Sequence, residues 1–125
     1  MKYSVVLPCK NEEATISTCI NKIKKVLPKA EIIVVDNNST DNLASIAKKL
    51  HVKLIQEKKQ GYGAALLRGF KEASNENIIM CDADNTYDLL ELPKLIKYKN
   101  YDLVIGRREY IKSGSMPFLN RYIGN

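Results

Sequence analysis

Ile78-Ile79-Met80-Cys81-Asp82-Ala83-Asp84, with Asp88 close behind, is the stretch that decides the fold. An unbroken apolar run bounded by acids reads as a buried parallel strand, because such strands are covered on both faces and lose the in–out alternation. The carboxylates then fall at the strand's C-terminal end, the edge where open α/β sheets bind ligands. Side chains alternate along a strand, so Asp82 and Asp84 face one side and Ala83 the other. Two ionised carboxylates aimed at one spot repel unless a proton or a cation sits between them. A hard divalent cation suits that place, since Mg²⁺ is commonly held by one or two carboxylates plus substrate phosphates. The pattern points to an enzyme handling a diphosphate.

Outward from this stretch, apolar strands alternate with amphipathic helices. Strands are predicted over residues 3–8, 31–36, 52–56, 77–82 and 101–106. A first helix is predicted from about residue 11 to 27, with Ile16, Cys19, Ile20 and Ile23 on one face and Pro28 as its stop. Ser39 or Thr40 caps a second helix carrying Leu43, Ile46, Ala47 and Leu50. Gly61-Tyr62-Gly63 opens a third, with Leu66, Gly69, Phe70 and Ala73, and a fourth holds Pro93 in its first turn. The alternation predicts an α/β fold: a Rossmann-like, three-layer αβα arrangement around a mostly parallel sheet. Residues 1–125 are expected to form a single domain. From residue 107 the periodicity fails, and 107–125 read as a mobile acceptor-side loop and a truncated end, on a sequence that looks as if it should continue.

Composition narrows the classes. A chain of 125 residues is one domain that buries roughly two-thirds of its unfolded surface. Its hydrophobic share of 45% and charged share of 27% are ordinary for a soluble globular protein. No apolar run approaches the roughly 18–20 residues that span a bilayer, and no signal peptide is recognisable. A cytoplasmic protein is expected, at most touching the cytoplasmic face of a membrane. Cys9, Cys19 and Cys81 lack CxxC spacing and read as reduced, buried small hydrophobes. His51 reads as a surface or capping residue. A net charge of +6 favours anionic partners, namely nucleotides, nucleic acid or phospholipid. The bases are spread over several helices and aromatics are few, which argues against nucleic acid. An open sheet edge could pair with a second copy, so a homo-oligomer is admitted.

Each further candidate has a plain structural reading beside the functional one. Asn11 suits an N-cap, with Glu12 and Glu13 complementing the helix dipole; functionally, Glu12 could accept hydrogen bonds from a ribose. Asp36 ends a β-branched run at the ligand edge, where a carboxylate can accept from the imide N–H of uracil or guanine. Asp41 reads as a local cap. Gly61 and Gly63 lie between a strand and a helix, where backbone amides can approach a phosphate, although Gly-x-Gly also serves tight turns. A nicotinamide-cofactor fingerprint would follow the first strand, which instead ends at Pro8, and no P-loop sequence occurs. Arg107 and Arg108 could neutralise phosphate charge or form a solvated basic turn.

Taken in order, these stretches resemble the family 2 glycosyltransferases of the GT-A, nucleotide-diphospho-sugar transferase type, especially polyprenyl-phosphate sugar transferases such as dolichyl-phosphate mannose synthases. The matching segments are Val5-Val6-Leu7-Pro8 through Asn11-Glu12, Ile33-Val34-Val35-Asp36 through Asp41, Gly61-Tyr62-Gly63-Ala64-Ala65, Asp82-Ala83-Asp84-Asn85-Thr86-Tyr87, Asp102 through Arg108, and Gly114 to Asn125. The resemblance implies a nucleotide sugar held by Pro8, Asn11, Glu12, Asp36, Asn38, Gly61, Gly63, Asp82, Ala83 and Asp84. It implies Mg²⁺ or Mn²⁺ on Asp82 and Asp84, catalytic roles for Asp84 and Arg108, and Arg108 and Arg121 near phosphate and acceptor. Asn85 and Asp88 stand where small residues or proline are common, Arg107 replaces a usual Ser, and the family's catalytic domain runs longer.

The implied reaction moves a hexose from a UDP- or GDP-sugar to a polyprenyl or dolichyl phosphate. Transfer to a sugar hydroxyl and a non-catalytic nucleotide-sugar-binding remnant are the alternatives. A sugar-1-phosphate nucleotidyltransferase would need a Gly-rich basic loop after the first strand, which is absent.

Overall fold

Tyr3–Cys9 (β1), Glu31–Asp36 (β2), Lys53–Gln56 (β3) and Asn77–Met80 (β4) pair in parallel into one sheet of order β3-β2-β1-β4. The computed structural model describes residues 1–106, which fall into two compact units, Met1–Leu90 and a second beginning at Glu91. The first unit holds the sheet and the helices Ile16–Val26 (α1), Leu43–Lys49 (α2) and Tyr62–Glu72 (α3). From β1 the chain steps outward to β2 and β3, then returns across both to place β4 on the far side of β1. That reversal makes the gap between β1 and β4 a topological switch point, where open α/β sheets form a ligand crevice.

The central strands are buried on both faces: Val5, Val6 and Leu7 of β1 and Ile33, Val34 and Val35 of β2 have no exposed surface. This is why the sequence shows unbroken apolar runs. Val6, Ile33 and Val35 share a face with Ala65 of α3. Alternation turns Val5, Leu7 and Val34 to the opposite face. Helix α3 packs on β1 and β2 from the Val6 face, and the usual right-handed crossover rule puts α1 and α2, which touch each other, on the opposite one. The expected three-layer αβα order is therefore present. Gly69 lets α3 lie close to the strands, because a Cβ there would overlap Val6 Cγ1 and come within 3.2 Å of Val35 Cγ2.

Several boundaries differ from expectation. α1 begins at Ile16 rather than near residue 11, because Asn11 adopts a left-handed φ of 55° and is tied to a neighbouring loop instead of capping the helix. α2 is entered through Asp41, whose Oδ1 accepts from the Leu43 amide, not through Ser39 or Thr40. β4 ends at Met80, although the Cys81 amide still donates to the Val6 carbonyl. Nor is β4 the strand covered on both faces that its apolar run suggested: it is the last strand of the described sheet, with Ile78 38% and Met80 53% exposed.

A 3-10 turn at Leu89–Glu91 closes the first unit, and the second holds a short helix, Leu92–Leu95 (α4), with Pro93 at its start as anticipated. The strand predicted over 101–106 is absent: these residues join no ladder among the described residues. Tyr101, Leu103 and Ile105 do alternate, yet they are 69%, 76% and 72% exposed. A strand exists through its neighbour's hydrogen bonds, which a one-chain pattern does not supply. No described helix is long and apolar enough to cross a membrane.

Candidate functional site

The switch point opens as a cleft of about 560 Å³ inside the first unit. Pro8, Cys9, Lys10 and Glu12 follow β1, Asn37 follows β2, Gln60, Gly61, Tyr62 and Ala65 come from the β3–α3 turn, and Asp82 and Asp84 follow β4. Five residues expected from the sequence meet here: Pro8, Glu12, Gly61, Asp82 and Asp84.

The acidic pair keeps its alternation beyond the strand. Asp82 and Asp84 both line the cleft, while Ala83 between them is buried and its carbonyl accepts from Thr15 Oγ1 at the start of α1. Asp82 is held from two sides: Tyr62 Oη donates to its Oδ1 and Tyr87 Oη to its Oδ2, each at 2.9 Å. Asp84 uses Oδ1 for a local turn, accepting from the Thr86 amide at 3.0 Å and the Thr86 hydroxyl at 2.7 Å. A carboxylate offers about four lone-pair sites. After these bonds each Asp82 oxygen keeps one, and Oδ2 of Asp84 stands outside the turn.

Negative charge accumulates here. Burial, then the charges of Asp84 and Asp82, push the Glu12 carboxyl above its ordinary pKa, with Asp41 adding to them and Thr15 opposing. Burial and the bond to Asp82 likewise push the Tyr62 phenol up, so it remains a donor through the neutral range. Cys9, which lines the cleft, and Cys81, directly before Asp82, are both buried and have thiols raised chiefly by burial, Cys81 to about 12. Among the described residues, no three His, Cys, Asp or Glu side chains are arranged to hold a metal ion unaided. Two carboxylates suit an ion that completes its shell with phosphate oxygens.

The remaining predicted residues support the cleft from outside its lining. Asn11 Oδ1 accepts from the Thr40 amide at 2.8 Å, and its own amide donates to Ser39 Oγ at 3.0 Å. A second clasp runs beside it, with Glu13 N donating to Asp41 Oδ2 and Asn42 N to Glu13 Oε2, both at 3.0 Å. Asp36 is 4% exposed and its Oδ1 accepts from the Ser39 amide. Asn38, at a left-handed φ of 63°, donates to the Lys58 carbonyl. Gly61 has φ 126°, but its amide already donates to Asn37 Oδ1 at 2.9 Å and is not free for a phosphate. Gly63 has open space where a Cβ would stand. Arg107, Arg108 and Arg121 lie outside the described residues.

Sequence reasoning missed Asn37 and Tyr62. Asn37 Nδ2 donates to the carbonyls of Glu57 and Lys59 at 2.9 and 2.8 Å, pinning the β3–α3 turn against the end of β2. An Asn directly after a buried strand is a signal for such a turn. Nothing local marks Tyr62, whose partner Asp82 is distant in sequence.

Comparison with known proteins agrees with this geometry. Residues 4–122 match the family "Glycosyl transferase family 2". The chain is 39% identical to a low-salt glycan biosynthesis hexosyltransferase of Haloferax volcanii, over 98% of its own length and 32% of the relative's. It is 36% identical to a dolichol-phosphate mannosyltransferase of Pyrococcus furiosus, again over 98% of its length and 38% of the relative's. It also superimposes on glucosyl-3-phosphoglycerate synthase of Mycobacterium tuberculosis, solved with Mn²⁺, uridine diphosphate and glucosyl-3-phosphoglycerate. There the TM-score is 0.69 and identity 30%, over 77% of this chain and 38% of the other. The fold is of the GT-A type. The chain belongs to glycosyl transferase family 2, and it spans about a third of the relatives just named.

Proposed function

We propose that this chain is the donor-binding part of a metal-dependent hexosyltransferase, taking its sugar from a UDP- or GDP-sugar and passing it to a polyprenyl or dolichyl phosphate. One observation carries the reading: Glu12, Asp82 and Asp84 converge on a cleft at the switch point of a GT-A sheet. A cleft so acidic repels a diphosphate unless a cation comes with it. Asp82 and Asp84 would hold Mg²⁺ or Mn²⁺, and the bound ion would supply Lewis-acid stabilisation of the leaving diphosphate.

The chain's own groups then divide the remaining work. Glu12 would accept from the ribose, with Pro8, which also lines the cleft, beside it. Asp36, Asn38 and the Asn11 clasp set the loops that receive the base, and Gly63 leaves room for the phosphates at the start of α3. Arg108 would neutralise phosphate charge and Arg121 would face the acceptor, by family likeness alone. A phosphate monoester acceptor is already largely ionised at neutral pH, its second pKa being about 6. It needs no general base, unlike a hydroxyl acceptor. Relatives named as a dolichol-phosphate mannosyltransferase and a dolichyl-phosphate hexose transferase support this choice.

Calorimetric titration of UDP- and GDP-sugars, with and without Mn²⁺, tests the donor half. Metal-dependent binding of one nucleotide is expected, abolished in Asp84→Ala while the circular dichroism spectrum is retained. Equal, weak, metal-independent binding of both nucleotides defeats the reading. An acceptor panel should pair polyprenyl phosphates with phosphoglyceric acid, which co-crystallised with the mycobacterial synthase.

A further inference from the structure

We infer that Tyr62 is a positioning residue for Asp82, setting the carboxylate's orientation across the cleft so that it meets a cation–diphosphate pair in one fixed pose. The inference rests on the proposed donor site and adds a residue to it. Tyr62 is the first residue of α3, directly after Gly61 with its φ of 126°, so the turn that launches the helix also aims the phenol. Asn37 anchors that turn through three hydrogen bonds to the Glu57 and Lys59 carbonyls and the Gly61 amide. From this braced base Tyr62 Oη reaches Asp82 Oδ1 at 2.9 Å, linking the β3–α3 turn to the end of β4.

The bond has a defined consequence for coordination. With Tyr62 on Oδ1 and Tyr87 on Oδ2, the carboxylate cannot rotate freely, and each oxygen presents a single remaining lone pair. Outer hydrogen-bond partners of this kind orient metal-ligating carboxylates, and their loss typically costs about 10- to 100-fold in metal affinity. Tyr62 suits the role better than a packing role, because it is 54% exposed and its ring lines the cleft wall. Removing only its hydroxyl therefore leaves the core untouched.

The test compares the native chain with Tyr62→Phe, reading Mn²⁺ binding in the presence of UDP by electron paramagnetic resonance and UDP binding by calorimetry with and without Mn²⁺. Tyr62→Phe is expected to weaken Mn²⁺–UDP binding by about 10- to 100-fold, with UDP binding in EDTA and the thermal midpoint unchanged. Unchanged Mn²⁺–UDP affinity in the variant overturns the role of Tyr62 while leaving the donor site standing. Equal weakening with and without Mn²⁺ also overturns it, assigning the hydroxyl to the nucleotide or to the fold. The same comparison is run with GDP where the native chain prefers it, and failure of the native chain to bind Mn²⁺ with either UDP or GDP overturns both the inference and the function beneath it.

Discussion

Single side chains govern the cleft through bonds that span long stretches of sequence. Asn37 is 6% exposed and satisfies three backbone groups of the β3–α3 turn with one amide. An ordinary hydrogen bond contributes about 0.5–1.5 kcal/mol net. Asn37→Ala removes three of them and is expected to lower unfolding stability by roughly 1–3 kcal/mol in urea denaturation, and to speed amide exchange at Gly61. At this scale the sequence was only partly readable. Asp82 and Asp84 both reach the cleft as strand parity suggested, although β4 ends at Met80 and they lie in the bend beyond it. Asn11 looks like a helix cap because its local neighbours allow one, yet its partners are Ser39 and Thr40 on another loop. The Tyr62–Asp82 bond has no local signature at all.

Elements were more legible, because apolar runs mark strands, although only in β1 and β2 does such a run mean burial on both faces. The four described strands lie where those runs are, and the strand expected over 101–106 finds no ladder partner among the described residues. Helix α3 depends on Gly69 to approach Val6 and Val35. Gly69→Ala forces overlap and is expected to destabilise the fold by about 1–3 kcal/mol, measured as a lower thermal midpoint. At the opposite end of the sheet Glu31 ties β2 to the α3–β4 turn. Burial opposes its charged form, but the Ser74 amide, the Ser4 and Ser74 hydroxyls and the charge of Lys53 outweigh it and lower its pKa. A depressed carboxylate pKa stabilises the fold above the unfolded value and loses that contribution as pH falls through the folded value. Native stability should therefore decline as pH drops below the ordinary glutamate value of 4.5. Glu31→Gln should show a lower plateau at neutral pH and a shallower decline, readable by urea titration at several pH values.

For the whole molecule, the net charge of +6 and the acidic cleft pull in different directions. The general field attracts a nucleotide, while the local carboxylates admit its phosphates only with a cation. The unfolded chain has no such site, so donor and metal together should raise thermal stability. Saturation at one hundred times Kd corresponds to about 2.7 kcal/mol. Differential scanning fluorimetry should show that rise with Mn²⁺ and nucleotide sugar, its reversal by EDTA, and no EDTA effect on the ligand-free protein. A metal built into the fold would give the opposite last result.

Cys9 at the end of β1 and Cys81 just beyond β4, both enclosed with raised thiols, also equip the protein with a built-in stopwatch. Alkylating reagents attack the thiolate, so these sulfurs should react with iodoacetamide only during brief openings of the sheet. The modification rate at mildly alkaline pH then times those openings directly in a chain that has no tryptophan to report them. Occupancy of the cleft should slow the clock.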